Sequence, residues 1–446
     1  MGIHLPIRTA TRRHRDCNMT VRALLALLLV LPLAMTARAG SSLAHAIATA
    51  PPGATIAVPA GVHRVQGLRL DKPVTLDGAP GAVLDAGGVG DVLRITASNV
   101  MVRGLTLRGS GRDLTAENAA VFIEKSAREV TLDHNQIEDS LFGVYLDGPH
   151  DVRVTRNVIR GLPTLHVADR GDGIHLWNDT GCTIEGNDIA GTRDGIYVYV
   201  SPHNTIARNV IHGVRYGVHY MYSNRNVLVD NVSRGNVAGY ALMSSDHLEV
   251  MGNLAEDDQS YGFLLNYISY STFADNEARR ITGLRDDRGM TIEGGEGKGV
   301  FVYLSQFNDF HANVIADSEI GIHMTAGSEH NRLWGNRFLD NRVQVKYVQN
   351  LAQEWSVHGR GNYWSDYLGW DLDGNGIGDV PFRPNDGVDV LLWKYPAARS
   401  LMSSPAILLL RYVQRAFPVF TPPSVQDSHP LMRVRAITGV DHVVRD

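Results

Sequence analysis

An asparagine returns along the chain at Asn135, Asn157, Asn187, Asn209, Asn231, Asn253, Asn276, Asn313 and Asn336, with spacings of 22, 30, 22, 22, 22, 23, 37 and 23 residues. A glycine followed by alternating apolar residues keeps the same beat at Gly143, Gly173, Gly195, Gly217, Gly239, Gly262, Gly299 and Gly321. A period of this size belongs to repeat architectures, in which each unit buries its apolar face only against its neighbours. Segments such as Ile196-Tyr197-Val198-Tyr199-Val200 alternate at period two with β-branched and aromatic residues, and the residues between them lack helical periodicity. Three short strands and three turns per 22 residues describe one coil of a right-handed parallel β-helix. Coils stack at about 4.8 Å, so residues one period apart become neighbours. The asparagines then form a structural column whose amides bond along the stack.

Such a stack needs its ends covered. Ser42 followed by Leu43 and Ile47 predicts a short helix over the first coil, and segments around Ile56, Val65, Val74, Val83, Leu93, Val102 and Val121 read as the earliest coils. Ahead of them, Arg12, Arg13, Arg15 and Arg22 precede the apolar run Ala23 to Ala34, and Ala37-Arg38-Ala39 places small residues before Gly40. This is the pattern of a cleaved export signal, and the run is shorter than the roughly 20 residues that span a bilayer. Met19 offers a second start. Of the two cysteines, Cys17 leaves with the signal, so Cys182 has no partner for a disulfide and packing must carry stability. The chain thus divides into a signal at 1–39, a β-helix at 40–350, a C-terminal cap at 351–400, and a docking segment with its tail at 401–446. A formal net charge of −5 argues against a nucleic-acid partner held by bulk positive charge.

Register also sorts the chemistry. If Ile174, Ile196, Val218, Val300 and Ile322 face inward, the next residue of each coil faces outward. That column is Tyr145, His175, Tyr197, His219, Ala241, Leu264, Phe301 and His323. Two residues on stand Asp147, Trp177, Tyr199, Met221, Met243, Asn266, Tyr303 and Thr325. A face of imidazole, thioether and large aromatics reads as a docking surface, unless a segment of the chain lies across it as a cover. His219, Met221 and Met243 fall on adjacent coils, and imidazole with thioether suits copper(I). His175 is two rungs away and His323 farther. Cys182 sits five before Asn187, where other coils carry Asn204, Asn226, Asn308 and Asn331, so it reads as a turn-stack residue. Asp172 and Asp194 precede register glycines on adjacent coils, with Arg170 and Arg193 nearby; stacked carboxylates of this kind serve acid–base work, although a turn aspartate beside an arginine is the commoner case.

Two insertions fall between Asn157 and Asn187 and between Asn276 and Asn313. The second ends in Glu293 to Gly299, whose glycine density implies a specified shape. After Asn341 the beat fails. Asp371, Asp373, Asn375, Ile377 and Asp379 then occupy positions 1, 3, 5, 7 and 9 of a calcium loop, with Gly376 at its turn. Phe382 stands where a glutamate is usual, so Asp386 or Asp389 would have to complete the site. Farther on, Pro405 to Phe420 is amphipathic and too short to span a bilayer, which suits docking at a membrane surface or a membrane partner. From Thr421 the tail is polar and extended, as a tail that wraps a partner would be.

The coils together with GGEGKG from Gly294, AGSEHN from Ala326, GNYWSDYLGWD from Gly361 and WKYP from Trp393 resemble the NosD family of periplasmic nitrous-oxide reductase maturation proteins over nearly all the mature chain. The resemblance implies a non-catalytic periplasmic β-helix attached to an ABC transporter, made of a membrane permease and a cytoplasmic ATPase. It further implies help in assembling the copper–sulfur centre of nitrous-oxide reductase, with copper received from a membrane-bound chaperone. It brings no catalytic residue to this chain. The competing class is a polysaccharide lyase, hydrolase or C5-epimerase using Asp172 and Asp194.

Overall fold

A computed structural model describes residues 35–36, 43–292, 294–325, 327–349, 351–395, 404–416 and 424–433. Nearly all of the proposed export signal lies outside these residues, as do Phe417 to Phe420 and the last thirteen positions. The described chain is a parallel β-helix with three long sheets of 13, 12 and 13 strands. Partners across the second sheet fall one period apart, as in Ile174↔Ile196↔Val218, and all three are fully buried.

The asparagine ladder runs as expected. Each amide donates to the carbonyl side chain of the next coil, Asn187 to Asn209 at 2.9 Å and Asn209 to Asn231 at 2.9 Å, while the same oxygen takes the backbone N–H of the preceding asparagine at 3.0 Å. The ladder amides are thereby satisfied, as their removal from water demands. The marker glycines answer a different need. A Cβ on Gly195 would lie 2.3 Å from the Ile211 side chain and 2.6 Å from the carbonyl of Gly217, and the same contact with the next glycine recurs up the column. Close approach between coils excludes a side chain there.

The helix Leu43–Thr49 closes the first coil with Leu43 and Ile47 buried, and the Lys72 ammonium meets its terminal carbonyls at Ala48 and Ala50. The far end departs from the sequence reading. The beat does not stop after Asn341: Asn362 takes the ladder bond from Asn336 at 2.9 Å, and Tyr363–Trp364 extends the third sheet. The spacing of 26 disguises this last coil. The start of the tail packs on its own chain. Val425–Gln426 pairs with Gln353–Glu354 of the same chain, and Asp427 is buried, accepting from the Asn362 N–H at 2.7 Å, the Trp364 indole at 2.8 Å and the His429 N–H at 3.1 Å. Trp355, Trp364 and Phe338 stack beneath it, fully buried. The tail lies against the last coil because that coil would otherwise expose two tryptophans and a row of unpaired N–H groups.

Candidate functional site

The second sheet carries the two outward columns in the expected order, Tyr145↔His175↔Tyr197↔His219↔Ala241↔Leu264↔Phe301↔His323 and Asp147↔Trp177↔Tyr199↔Met221↔Met243↔Asn266↔Tyr303. The first column is not an open ridge. Tyr145, His175, His219 and Ala241 are buried beneath neighbouring side chains. Tyr145 lies between Phe122 at 5.1 Å and His175 at 4.5 Å, and Leu162 of the first insertion joins Phe122, Phe142 and Tyr145 in a small outer core. That insertion is the cover at this end of the face. Openness returns in the second column, where Trp177 is 41% exposed and Met221 and Met243 are half-buried.

Asp172 and Asp194 are both fully buried and fully engaged. Asp172 accepts from the His175 Nδ1 at 2.8 Å and from Arg193 at 3.1 Å. Asp194 accepts from Arg215 at 2.8 and 2.6 Å and from the His219 Nδ1 at 2.9 Å. Burial works to raise the Asp194 carboxyl, yet the bonds from His219 and Arg215 outweigh it and hold the group below the usual carboxylate range. Arg170 is elsewhere, bonded to the carbonyls of Leu165 and Pro163. Two sealed, neutralised carboxylates have no path to a substrate, which removes the geometry that acid–base catalysis at this pair requires.

His219, Met221 and Met243 occupy neighbouring register positions on two adjacent coils. His219 and Met221 project from one strand, and Met243 is the register partner of Met221 on the next coil. The His219 ring packs 4.7 Å from Tyr197 and 5.0 Å from Tyr216, and the Tyr197 hydroxyl approaches the Met221 sulfur at 3.6 Å. An imidazole with two thioethers fits a soft monovalent metal. Among the described residues no three His, Cys, Asp or Glu side chains group to hold a metal ion, a donor set that leaves thioethers out. His323 stands apart from this group. Burial, together with Lys346 and Lys298, pulls its imidazole down to about 3.

The calcium loop has less support. Asp371 accepts the Asn375 and Gly376 N–H groups, Asp373 accepts from Asn375, and Asp379 accepts the Leu372 N–H at 2.7 Å. Ile377 donates its N–H to the Asn375 side chain. The carboxylates thus satisfy the loop's own amides. Phe382 packs on Trp364 and Tyr367, and the two proposed substitutes are taken, since Arg411 pairs with Asp386 and Asp389 at 2.9 Å each. Cys182 is the turn-stack residue expected. It is buried, its N–H meets Asn204, and burial pushes its thiol up.

Those Arg411 pairs seat the helix Pro405–Ala416 on the helix Gly387–Lys394. Leu408, Leu409 and Tyr412 stay in solvent, 60%, 61% and 69% exposed. No described helix is long and apolar enough to cross a membrane. The second insertion forms an antiparallel turn, Arg285 opposite Thr291, above a neck where Gly283, Gly295 and Gly297 meet backbone to backbone. Sequence reading missed Arg215 and Asp427. The first was signalled by its place directly before the Tyr216-Gly217 register pair, one coil above Arg193; nothing periodic marks the second.

A family model described as "Periplasmic copper-binding protein (NosD)" matches residues 159–369. The chain is 55% identical over 379 residues to a "Probable ABC transporter binding protein NosD" of Stutzerimonas stutzeri, covering 84% of this chain and 86% of that protein. A protein of the same description from Pseudomonas aeruginosa is 55% identical over 371 residues, covering 82% and 86%. Among solved structures, the A-module of the Azotobacter vinelandii mannuronan C-5 epimerase AlgE6 aligns with a TM-score of 0.50 at 18% identity over 73% of this chain and 93% of its own. The Streptococcus pneumoniae adhesin PfbA aligns at 0.53 with 13% identity over 75% and 91%. At such identities these two share the fold alone.

Proposed function

The chain belongs to the NosD family of periplasmic copper-binding proteins, and from that premise we propose that it is an exported, non-catalytic accessory protein that carries copper(I) transiently at His219, Met221 and Met243. The copper serves assembly of the copper–sulfur centre of nitrous-oxide reductase. It arrives from a membrane-bound chaperone, while the helix Pro405–Ala416 docks the protein on the permease of an ABC transporter. What supports this reading is the placement of one histidine and two methionines at neighbouring register positions at the edge of an aromatic face, on strands whose register is set by the repeat. The relatives' description as ABC transporter binding proteins supports the docking half, and the exposed leucines of a helix pinned by Arg411 supply a surface for it. The chemistry asked of the protein is modest: thioethers hold copper(I) without oxidising it and release it readily to a site richer in imidazole or sulfide.

Titration with copper(I) against a chromophoric competitor tests the reading. One equivalent should bind to the wild type, and a Met221→Ala, Met243→Ala double variant should lose that binding and yield copper-deficient reductase in cells. Full reductase activity in the double variant would move metal handling to the chaperone or the client and leave this face a docking surface only. The epimerase-like alternative finds no favouring observation, because Asp172 and Asp194 are both closed off by arginine and histidine.

A further inference from the structure

We propose that Asp194 is the positioning residue of the copper site, selecting the tautomer of His219 and fixing its ring; this rests on the reading that His219, Met221 and Met243 hold copper(I). A neutral imidazole binds metal through whichever nitrogen lacks the proton. The His219 Nδ1 lies 2.9 Å from Asp194 Oδ2. Asp194 is fully buried and takes two further bonds from Arg215, at 2.8 and 2.6 Å. A carboxylate paired with a guanidinium stays ionised and can only accept, so Nδ1 keeps its hydrogen and Nε2 keeps its lone pair. The ring cannot readily turn over, because Tyr197 and Tyr216 pack against it from two directions at 4.7 and 5.0 Å. About a tenth of the His219 side chain reaches solvent, which leaves the outer edge of the ring as the one a metal ion meets.

The same device stands nearby, with a different outcome. Asp172, bonded by Arg193, orients His175 through Nδ1 at 2.8 Å, but there Nε2 is buried without a partner, beneath Tyr145 and Phe142. Two acid–arginine–histidine sets therefore hold Nδ1 on a carboxylate, and only the set at His219 has Met221 on its own strand and Met243 one coil away. Histidines that bind metals commonly hold their second nitrogen on a carboxylate, and loss of that carboxylate weakens binding about 10- to 100-fold.

The test uses the full exported chain with selectively 15N-labelled histidine, and copper(I) supplied through a competing chromophoric chelator. Long-range 1H–15N correlation should find His219 as the Nδ1–H tautomer in the wild type. Asp194→Asn should lose that preference and bind copper(I) about 10- to 100-fold more weakly, whereas Asp172→Asn, the same change in the neighbouring set, should bind as the wild type does. Wild-type affinity in Asp194→Asn, or an Nε2–H tautomer in the unaltered protein, would overturn the positioning role while leaving the copper reading in place. Unchanged binding in His219→Ala would sink the copper reading itself, and the positioning role with it. Should Asp194→Asn fail to fold, the tautomer of the wild type still decides.

Discussion

Replacing Asp427 by alanine removes one side chain shared by two buried donors, the Asn362 N–H at 2.7 Å and the Trp364 indole N–H at 2.8 Å, and by the part-buried His429 N–H at 3.1 Å. A buried donor left without an acceptor costs about 1–3 kcal/mol. The two fully buried donors amount to about 2–6 kcal/mol, the part-buried His429 N–H being open to water. The loss is local, since each coil of a solenoid is coupled mainly to its neighbours. Trp355 and Trp364, fully buried beneath Asp427, report on this end of the molecule, whereas far-UV circular dichroism reports on all the coils. In urea, Asp427→Ala should show a red shift of tryptophan emission at a lower midpoint than the loss of circular dichroism. In the wild type the two transitions should lie closer together. A chain ended before Ser404 should show the same early exposure, because it lacks both Asp427 and the strand at Val425. Coincident midpoints in the variant, within about 0.5 kcal/mol of the wild type, would refute the assignment of Asp427 as the acceptor that closes the last coil.

Two further outcomes are expected. Burial pushes the carboxyls of Asp179 and Asp258 up to about 8 each, against weaker bonds from Asn204 and Asn236; stability from these groups is fully present below about pH 4 and is lost as pH rises through about 8. Thermal melts of the Asp179→Asn, Asp258→Asn pair should therefore fall less between pH 6 and 9 than those of the wild type, and an identical slope would count against the buried protonated acids. In the docking helix, Leu408→Glu with Tyr412→Glu should leave melting unchanged, because both residues stand mostly in solvent. It should also abolish copurification with the transporter permease, and retained copurification would place the contact elsewhere.

The repeat was legible because its requirements recur in the same side chains. Gly195 must clear Gly217, Asn209 must meet Asn231, and each coil states the rule again. The positions of His219, Met221 and Met243 followed from that register without any further information. What surrounds them did not, since Asp194 reaches His219 across 25 residues and Asp172 reaches His175 across three. The two spacings differ by one 22-residue coil, so the same residue type serves the histidine of its own coil in one case and that of the next coil in the other. Burial of the face was hidden for a related reason: Leu162 covers it from an insertion, and insertions carry no period. Asp427 meets Asn362 across 65 residues, a contact made once, which composition presents only as a polar tail. The proposed calcium loop shows the opposite case. Its spacing was right for ligands, but the carboxylates are equally well spent on the loop's own N–H groups.

The exposed helix Pro405–Ala416 is tethered at both ends rather than hung from one. Before it, Asn385 is fastened to the Val345 carbonyl and Asp386 to Arg411; after it, the strand Val425–Gln426 is paired into the last coil. A pull on its apolar face is therefore shared between two anchorages on the same end of the stack. At the second of these, Trp355 N–H to the Gln426 carbonyl, Gly361 N–H to the His429 carbonyl and Leu431 N–H to the Asn362 carbonyl lie side by side. Tension on the helix would thus be passed to the last coils at two places rather than one.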